Sequence, residues 1–425
     1  MKKSALSHAR LVAAFLGVVG LASCNGGVNI TKPPSGLTER VLASQSAASP
    51  TASPALVIID GQFDTLGRGA ISAGTSPSLM AISPERATLL SFDQVTNKVD
   101  VINTTKESLT GSVQLPGPTT SMAVPDSTTA YAAVPVAPLT GSPPGAVVEM
   151  NLASGGIAAT IGVPNAQTVI ANSNGSQLLA FSNDSDSVTM VSPLLLNTGS
   201  PLTTSVPGFD RPVYGFFSGS NAYILNCGAE CGGTQASVQI LNLGTSPPSA
   251  GAALPVDAAT IGYLVGTTLY VVGTSPTNNA CTGETTAATT CGRLDIVDLG
   301  SMTVTATYVI TDGYHDRIDL GLNSQLFIGS HACTNIGNVN NVTGEVRGCL
   351  SVYNVPVNTV VIPPDNGDVT GLQGFTTRYA EYVAEGGNLR VYDTITDTLL
   401  DTTFITTGTI VITGVITDVK AIDFF

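Results

Sequence analysis

The 425-residue chain has no tryptophan, three histidines and seven cysteines, and only 11% of its residues are charged. It contains no Gly-x-Ser-x-Gly elbow, no glycine-rich phosphate loop and no His-Glu-x-x-His pair, so the common hydrolase, nucleotide-binding and zinc-protease signatures are all missing. No cofactor and no catalytic residue is therefore assigned. Basic side chains are scarce as well: 16 Lys and Arg face 30 Asp and Glu, a net charge of −14. Such a chain repels phosphate backbones, which argues against nucleic acid as a partner.

Long hydrophobic runs are confined to the N-terminus. Lys2, Lys3 and Arg10 precede an apolar stretch over residues 11–21, which ends in Leu21-Ala22-Ser23-Cys24. A basic segment, a short apolar segment and small residues before a cut describe an export signal. The stretch is about half of the roughly 20 residues a membrane-spanning helix needs. Leu-Ala-Ser-Cys resembles the lipobox of bacterial lipoproteins over all four positions. That resemblance implies cleavage after residue 23, acyl chains on Cys24, and, with Asn25 next, an outer-membrane lipoprotein facing the periplasm or the cell surface. Loss of residues 1–23 removes three basic groups and no acidic one, bringing the net charge near −17. Residues 24–37, rich in Gly and Pro, read as lipidated cysteine and flexible tether.

What is abundant is Gly (45), Pro (25) and a hydrophobic fraction of 43%, with many Val, Thr and Ser: the habit of an extracellular β-rich protein. A run of alternating β-branched residues ending in Asp or Asn recurs along the chain. It reads Val57-Ile58-Ile59-Asp60, Val99-Asp100-Val101-Ile102-Asn103, Val147-Val148-Glu149-Met150-Asn151 and Val188-Thr189-Met190-Val191-Ser192. It continues as Val238-Gln239-Ile240-Leu241-Asn242, Leu294-Asp295-Ile296-Val297-Asp298, Leu350-Ser351-Val352-Tyr353-Asn354 and Leu389-Arg390-Val391-Tyr392-Asp393. That is eight copies, with Ser192 the one departure from the Asp/Asn ending.

Two strand-like segments precede most copies and one follows, so the unit is four strands, a to d, and a period of 40–50 residues signals propeller blades. The a-strands begin near Ser78, Thr120, Thr168, Val213, Thr260, Arg317, Leu372 and Val419, again eight. The last has no successors, while the first b-strand, over residues 39–44, has no a-strand before it. The two fragments complete one another. The expected fold is an all-β, closed propeller over residues 38–425, with eight four-stranded antiparallel blades rather than the alternative seven, the C-terminal strand closing the ring against N-terminal strands. Stacked β-sandwich domains fit less well, because they give a lone terminal strand no partner.

The stretch from Pro77 through Ile82-Ser83-Pro84-Glu85 to Val101-Ile102-Asn103 resembles the repeat of YVTN-type and lactonase-like propellers, without the Asp-Gly turn or a Tyr-Val-Thr-Asn tetrapeptide. The pattern extends over nearly all the mature chain. The resemblance implies a propeller and admits a lactonase-like hydrolase or isomerase with its site at the central channel.

Beyond Cys24, six cysteines fall as Cys227 with Cys231, Cys281 with Cys291, and Cys333 with Cys349, each pair between a b-strand and a c-strand of three successive blades. In an exported protein such an even set reads as disulfides. Sequential pairing keeps each bridge within one hairpin. The metal alternative, His331 with Cys333 and Cys349, is one ligand short of a structural zinc site. The carboxylate clusters at 183–186 and 365–368 lack the terminal Glu of a calcium loop and suit turn chemistry.

In a four-stranded blade the d-to-a and b-to-c connections emerge on one face. His315 and His331, the disulfide loops, Tyr314, Asp316, Arg317 and, two blades back, Asp210-Arg211 are thereby assigned to the same face. The reading is a non-catalytic module that binds a protein or glycan through these residues, with the opposite face carrying no site. General acid/base chemistry by His with Asp and Arg is the alternative.

Overall fold

The computed structural model describes residues 33–46, 53–182, 184–193, 202–274, 291–333, 348–364, 367–400 and 408–423. Strand follows strand along the chain, and the helical content among these residues includes the short 3-10 turn Gly228–Cys231. Antiparallel pairing between chain neighbours is confined within eight separate sheets, except that the last strand joins the first, and Thr409–Ile410 pairs with Asn388–Asp393. Their innermost strands, numbered here as blades 1 to 8, are Val415–Ile422, Pro77–Ile82, Ser121–Ala123, Thr168–Ala171, Pro212–Ser218, Ile261–Val265, Tyr314–Leu320 and Val369–Gly374. Each packs against the next, and that of blade 8 against that of blade 1. The protein is an eight-bladed β-propeller.

Blade 1 joins the two ends of the chain. Its inner strand Val415–Ile422 pairs antiparallel with Arg40–Ser46, from Arg40 opposite Ile422 to Ser46 opposite Val415. The strands Ala55–Asp60 and Thr65–Ile71 complete the sheet. Polar ties continue to blade 2: the Asp418 carboxylate accepts from the Met80 amide at 2.7 Å, and Arg86 pairs with Asp423 at 2.6 Å. No edge strand is left at the seam, as expected of a closed ring.

Residue choice follows position within the blade. Second strands are sandwiched between neighbouring blades on both faces, so Thr88–Asp93, Leu178–Phe181 and Ala380–Glu385 are buried along their whole length, the charged Asp93, Glu381 and Glu385 included. Outer strands such as Thr65–Ile71 face solvent and are largely exposed. The core is accordingly a ring of apolar layers between blades. Phe92 and Val113 of blade 2 meet Ala132 and Val148 of blade 3, and Val41 and Val419 of blade 1 meet Tyr382 and Val391 of blade 8.

The recurrent Asp/Asn that ends the third strand of every blade but the fourth has a structural cause. Its side chain accepts amide N–H groups two or three residues on, as Asp60 does from Gln62, Asn151 from Ser154 and Asp393 from Ile395. The residue four places on then takes a left-handed backbone: Asp64, Glu107, Gly155, Met302, Asn358 and Asp397. The following strand carries extra residues, seen as register shifts of two between Val57 and Ile59 and of one between Val101 and Ile102. Asx side chains stabilise such turns and tolerate that conformation.

Candidate functional site

The inner strands leave an axial channel whose mouth opens on the face that carries the d-to-a and b-to-c connections. It encloses a cavity of about 610 Å³ lined from seven of the eight blades. Blades 3, 4 and 6 contribute hydroxyls and an amide, including Ser121, Gln167, Thr168 and Thr260; blades 2 and 5 contribute Met80, Val213 and Tyr214. Charge is concentrated on the arc formed by blades 7 and 1, which supply Asp316, Arg317, Asp418 and Lys420.

On blade 7, Asp316 accepts from Arg317 Nη1 at 2.9 Å and lies 2.8 Å from His331 Nε2; all three side chains are about 30% exposed. Arg317 also donates through Nε to the Thr370 carbonyl of blade 8 at 2.7 Å. Tyr314 sits opposite His331 in the sheet register and reaches the cavity. The Cys333–Cys349 disulfide lies two residues beyond His331, and Asp368 accepts from the Ala332 amide at 2.8 Å. A covalent bridge and a hydrogen bond thus hold Ala332 and Cys333, the residues that follow His331. On blade 1, Lys420 Nζ donates to Asp418 at 3.0 Å.

The residues assigned to this face from the sequence separate into three groups. Tyr314, Asp316 and Arg317 line the cavity at the channel mouth, and His331, which does not line it, reaches Asp316 from behind. His315, whose side chain alternates away from theirs, is fully enclosed. Burial drives its pKa down to about 4, against the opposing pull of Asp316, the Thr311 backbone and Asp312, and its carbonyl accepts from Thr260 Oγ1 at 2.7 Å. The imidazole so enclosed does not line the cavity. Asp210 and Arg211 stand on the rim and do not line the cavity. The Asp210 carboxylate accepts from the Thr234 and Gln235 amides and so clamps the loop closed by the Cys227–Cys231 bridge, while the Arg211 amide donates to Asp186.

Cys227–Cys231 and Cys333–Cys349 are bonded as paired from the sequence; Cys291 is also disulfide-bonded, while Cys281 lies outside the described residues, as does Cys24. Of the two carboxylate clusters, Asn183, Asp365 and Asn366 lie outside the described residues, and among those described no group of three or more His, Cys, Asp and Glu side chains is arranged to hold a metal.

Three groups near the channel and its rim escaped sequence reasoning. Asp418 and Lys420 are the charged positions in the otherwise mainly apolar closing strand Val415–Ile422, which was the available signal. Glu230, on the 3-10 turn, accepts from the Thr274 amide of blade 6, and burial raises its pKa to about 7 despite that bond. Deeper in the ring, Glu381 is fully buried, with its pKa raised well above the ordinary value by burial and then by Asp319. Asp319, itself raised by burial, accepts from the Gly374 amide at 2.9 Å. Burial thus favours the neutral form of both carboxyls.

No family model and no curated protein matches the sequence. Solved structures do. The dihydro-heme d1 dehydrogenase NirN superposes with a TM-score of 0.60 at 11% identity, covering 92% of this chain and 78% of that one. A functionally unknown protein from Desulfotomaculum acetoxidans superposes at 0.51 and 14% identity, covering 77% and 99%. The periplasmic gluconolactonase PpgL of Pseudomonas aeruginosa gives 0.47 at 14% identity, covering 90% and 99%, too low to bear on function. At these identities the likeness is one of fold: the propeller is shared, and the chemistry of the site has to be argued from its own residues.

Proposed function

We propose that the chain is a lipid-anchored, extracytoplasmic propeller that binds a glycan or protein ligand at the channel mouth on its loop-bearing face, without chemical turnover. The carrying observation is the lining. Hydroxyl, amide, apolar and aromatic groups from several blades converge on one concavity, and the charged groups beside them are already paired, Asp316 with Arg317 and His331, Asp418 with Lys420. Concave sites with a few placed polar groups suit recognition. Disulfide-braced loops lose little entropy when a ligand docks. Cys24, if acylated, supplies the anchor, and the membrane is then one partner of the chain. Alanine substitution of Tyr314, Arg317 or His331 should weaken ligand capture, whereas Asn103→Ala and Asn242→Ala, in turns of the opposite face, should leave it unchanged.

A second reading rests on one distance. His331 Nε2 at 2.8 Å from Asp316 forms an oriented imidazole–carboxylate pair at the channel mouth, an arrangement able to move a proton. It supports a lactonase-like hydrolase or isomerase. Turnover of a panel of sugar lactones by the wild type, abolished in His331→Ala, would favour that reading over simple binding.

A further inference from the structure

We infer that the face opposite the channel mouth docks on a lipid bilayer, so that the binding face points away from the membrane. The inference rests on the lipid anchor proposed above but concerns a different surface.

The first observation is where the chain enters the ring. Arg40–Ser46 is the second strand of blade 1 and runs from the opposite face toward the mouth. The residues before it lie along the opposite face: the Glu39 carbonyl accepts from the Gly61 amide in a turn of blade 1, and Ser35 donates twice to Glu107 in the equivalent turn of blade 2. Cys24 precedes Pro33 by nine residues, a reach of about 30 Å at full extension. To bring an acyl group to the mouth side, that segment would have to pass two more strands, about 10 Å, and then the height of a blade, about 20 Å, with no slack left. On the entry side it reaches a bilayer without strain.

The second observation is what that face presents. On blades 7, 8 and 1 its turn tips are exposed and apolar: Leu322 40%, Val357 61%, Tyr379 49%, Ile395 57% and Phe63 44%. Charged groups in these turns are turned inward or tied down. Arg378 is held by Asp64 and the Gly61 carbonyl, and the buried Asp397 accepts from Asn354. The exposed residues between the apolar tips are Gln, Ser, Asn, Thr and Pro. Separate rigid turns ending in Phe, Tyr, Ile, Leu and Val, with charge withdrawn, match the interfacial zone, where aromatic and aliphatic tips sit among headgroups at little desolvation cost. The strand-b entry point on blade 1 lies beside Phe63, so anchor and tips act on the same bilayer.

The absence of tryptophan makes the test direct. Full-length protein carrying Phe63→Trp, Ile395→Trp or, as a mouth-side control, Val136→Trp is reconstituted into phosphatidylethanolamine/phosphatidylglycerol vesicles containing brominated lipid. The proposal predicts blue-shifted, bromine-quenched emission for the first two and unshifted, unquenched emission for the control. Mass spectrometry of the same samples reports acylation. Acylated, vesicle-bound Phe63→Trp protein whose emission is unquenched, or equal quenching on both faces, overturns the orientation and leaves the anchor standing. A chain without acyl groups that is still quenched at position 63 keeps the docking face and removes the anchor. An unacylated chain that does not bind vesicles overturns both. Wild-type protein that dimerises in detergent and becomes monomeric in Phe63→Ser assigns the face to a second copy instead.

Discussion

Deletion of residues 415–425 should abolish cooperative folding. The strand Val415–Ile422 is paired along its length with Arg40–Ser46 and buries Ile416, Val419 and Ile422 at 1% exposure or less. At about 1.5–3 kcal/mol for each buried aliphatic side chain, these three contribute roughly 5–9 kcal/mol before any hydrogen bond is counted. The deletion also removes the Asp418 acceptor for Met80 and the Asp423 partner of Arg86, which tie blade 1 to blade 2, and it exposes the edge of Arg40–Ser46 together with the surfaces of blades 8 and 2 that packed on the lost strand. Domain stabilities are only about 5–15 kcal/mol, so the loss is comparable to the whole. A graded version is Ile416→Ala, expected to cost about 2–5 kcal/mol by cavity formation. Urea unfolding followed by circular dichroism, with light scattering to detect aggregation, measures both. A truncated protein that unfolds cooperatively at the wild-type midpoint would refute ring closure.

Further outcomes follow from the same geometry. Cys24→Ser should move the protein from the membrane to the soluble fraction on cell fractionation; equal retention of both forms would remove the anchor. His315 is neutral when folded, and its pKa of about 4 lies below the 6.5 of an unfolded histidine. Protons therefore bind the unfolded chain more readily, and about 3 kcal/mol of stability should be lost as pH falls from 6.5 to 4. His315→Leu should flatten that part of the pH–stability curve, and an unchanged curve would count against the burial argument. Glu381 titrates the other way: its raised pKa means the folded state holds a proton that the unfolded chain releases, so stability declines as pH rises above about 4.5. Glu381→Gln should stabilise the protein at pH 7.5 by roughly 1–3 kcal/mol, seen as a higher midpoint in urea; destabilisation would show that the carboxylate is used in its charged form.

The blade count and ring closure were legible because the third strand of seven of the eight blades ends in an Asp or Asn suited to the turn that follows, and because the closing strand left matched fragments at both ends. The disulfide pairing of Cys227 with Cys231 and of Cys333 with Cys349 was legible from their repeat positions. The channel mouth was legible only in part. Blade 7 announced itself through Tyr314, His315, Asp316 and Arg317, but consecutive residues of a strand point to opposite sides, and the bulge between His315 and Arg317 shifts that alternation. The sequence did not say which of these four would be enclosed. Charge in a connection can serve a ligand or a turn, and at Asp210 the carboxylate is engaged by the Thr234 and Gln235 amides, a contact that spacing alone does not announce. Asp418 and Lys420 reach the same cavity from a strand more than 90 residues further along the chain, and spacing carries no signal for that distance.

The central claim, recognition at the mouth of the channel, is tested most directly by one binding measurement. Purified wild type, Arg317→Ala, His331→Ala, Asn103→Ala and Asn242→Ala would be probed side by side on an immobilised glycan array and against solubilised envelope proteins. The account predicts that captured species lose at least about tenfold in affinity, some 1.4 kcal/mol, on the two mouth-side substitutions and are unaffected by the two turn substitutions. Undiminished capture by Arg317→Ala and His331→Ala, with loss in Asn103→Ala or Asn242→Ala, would contradict it.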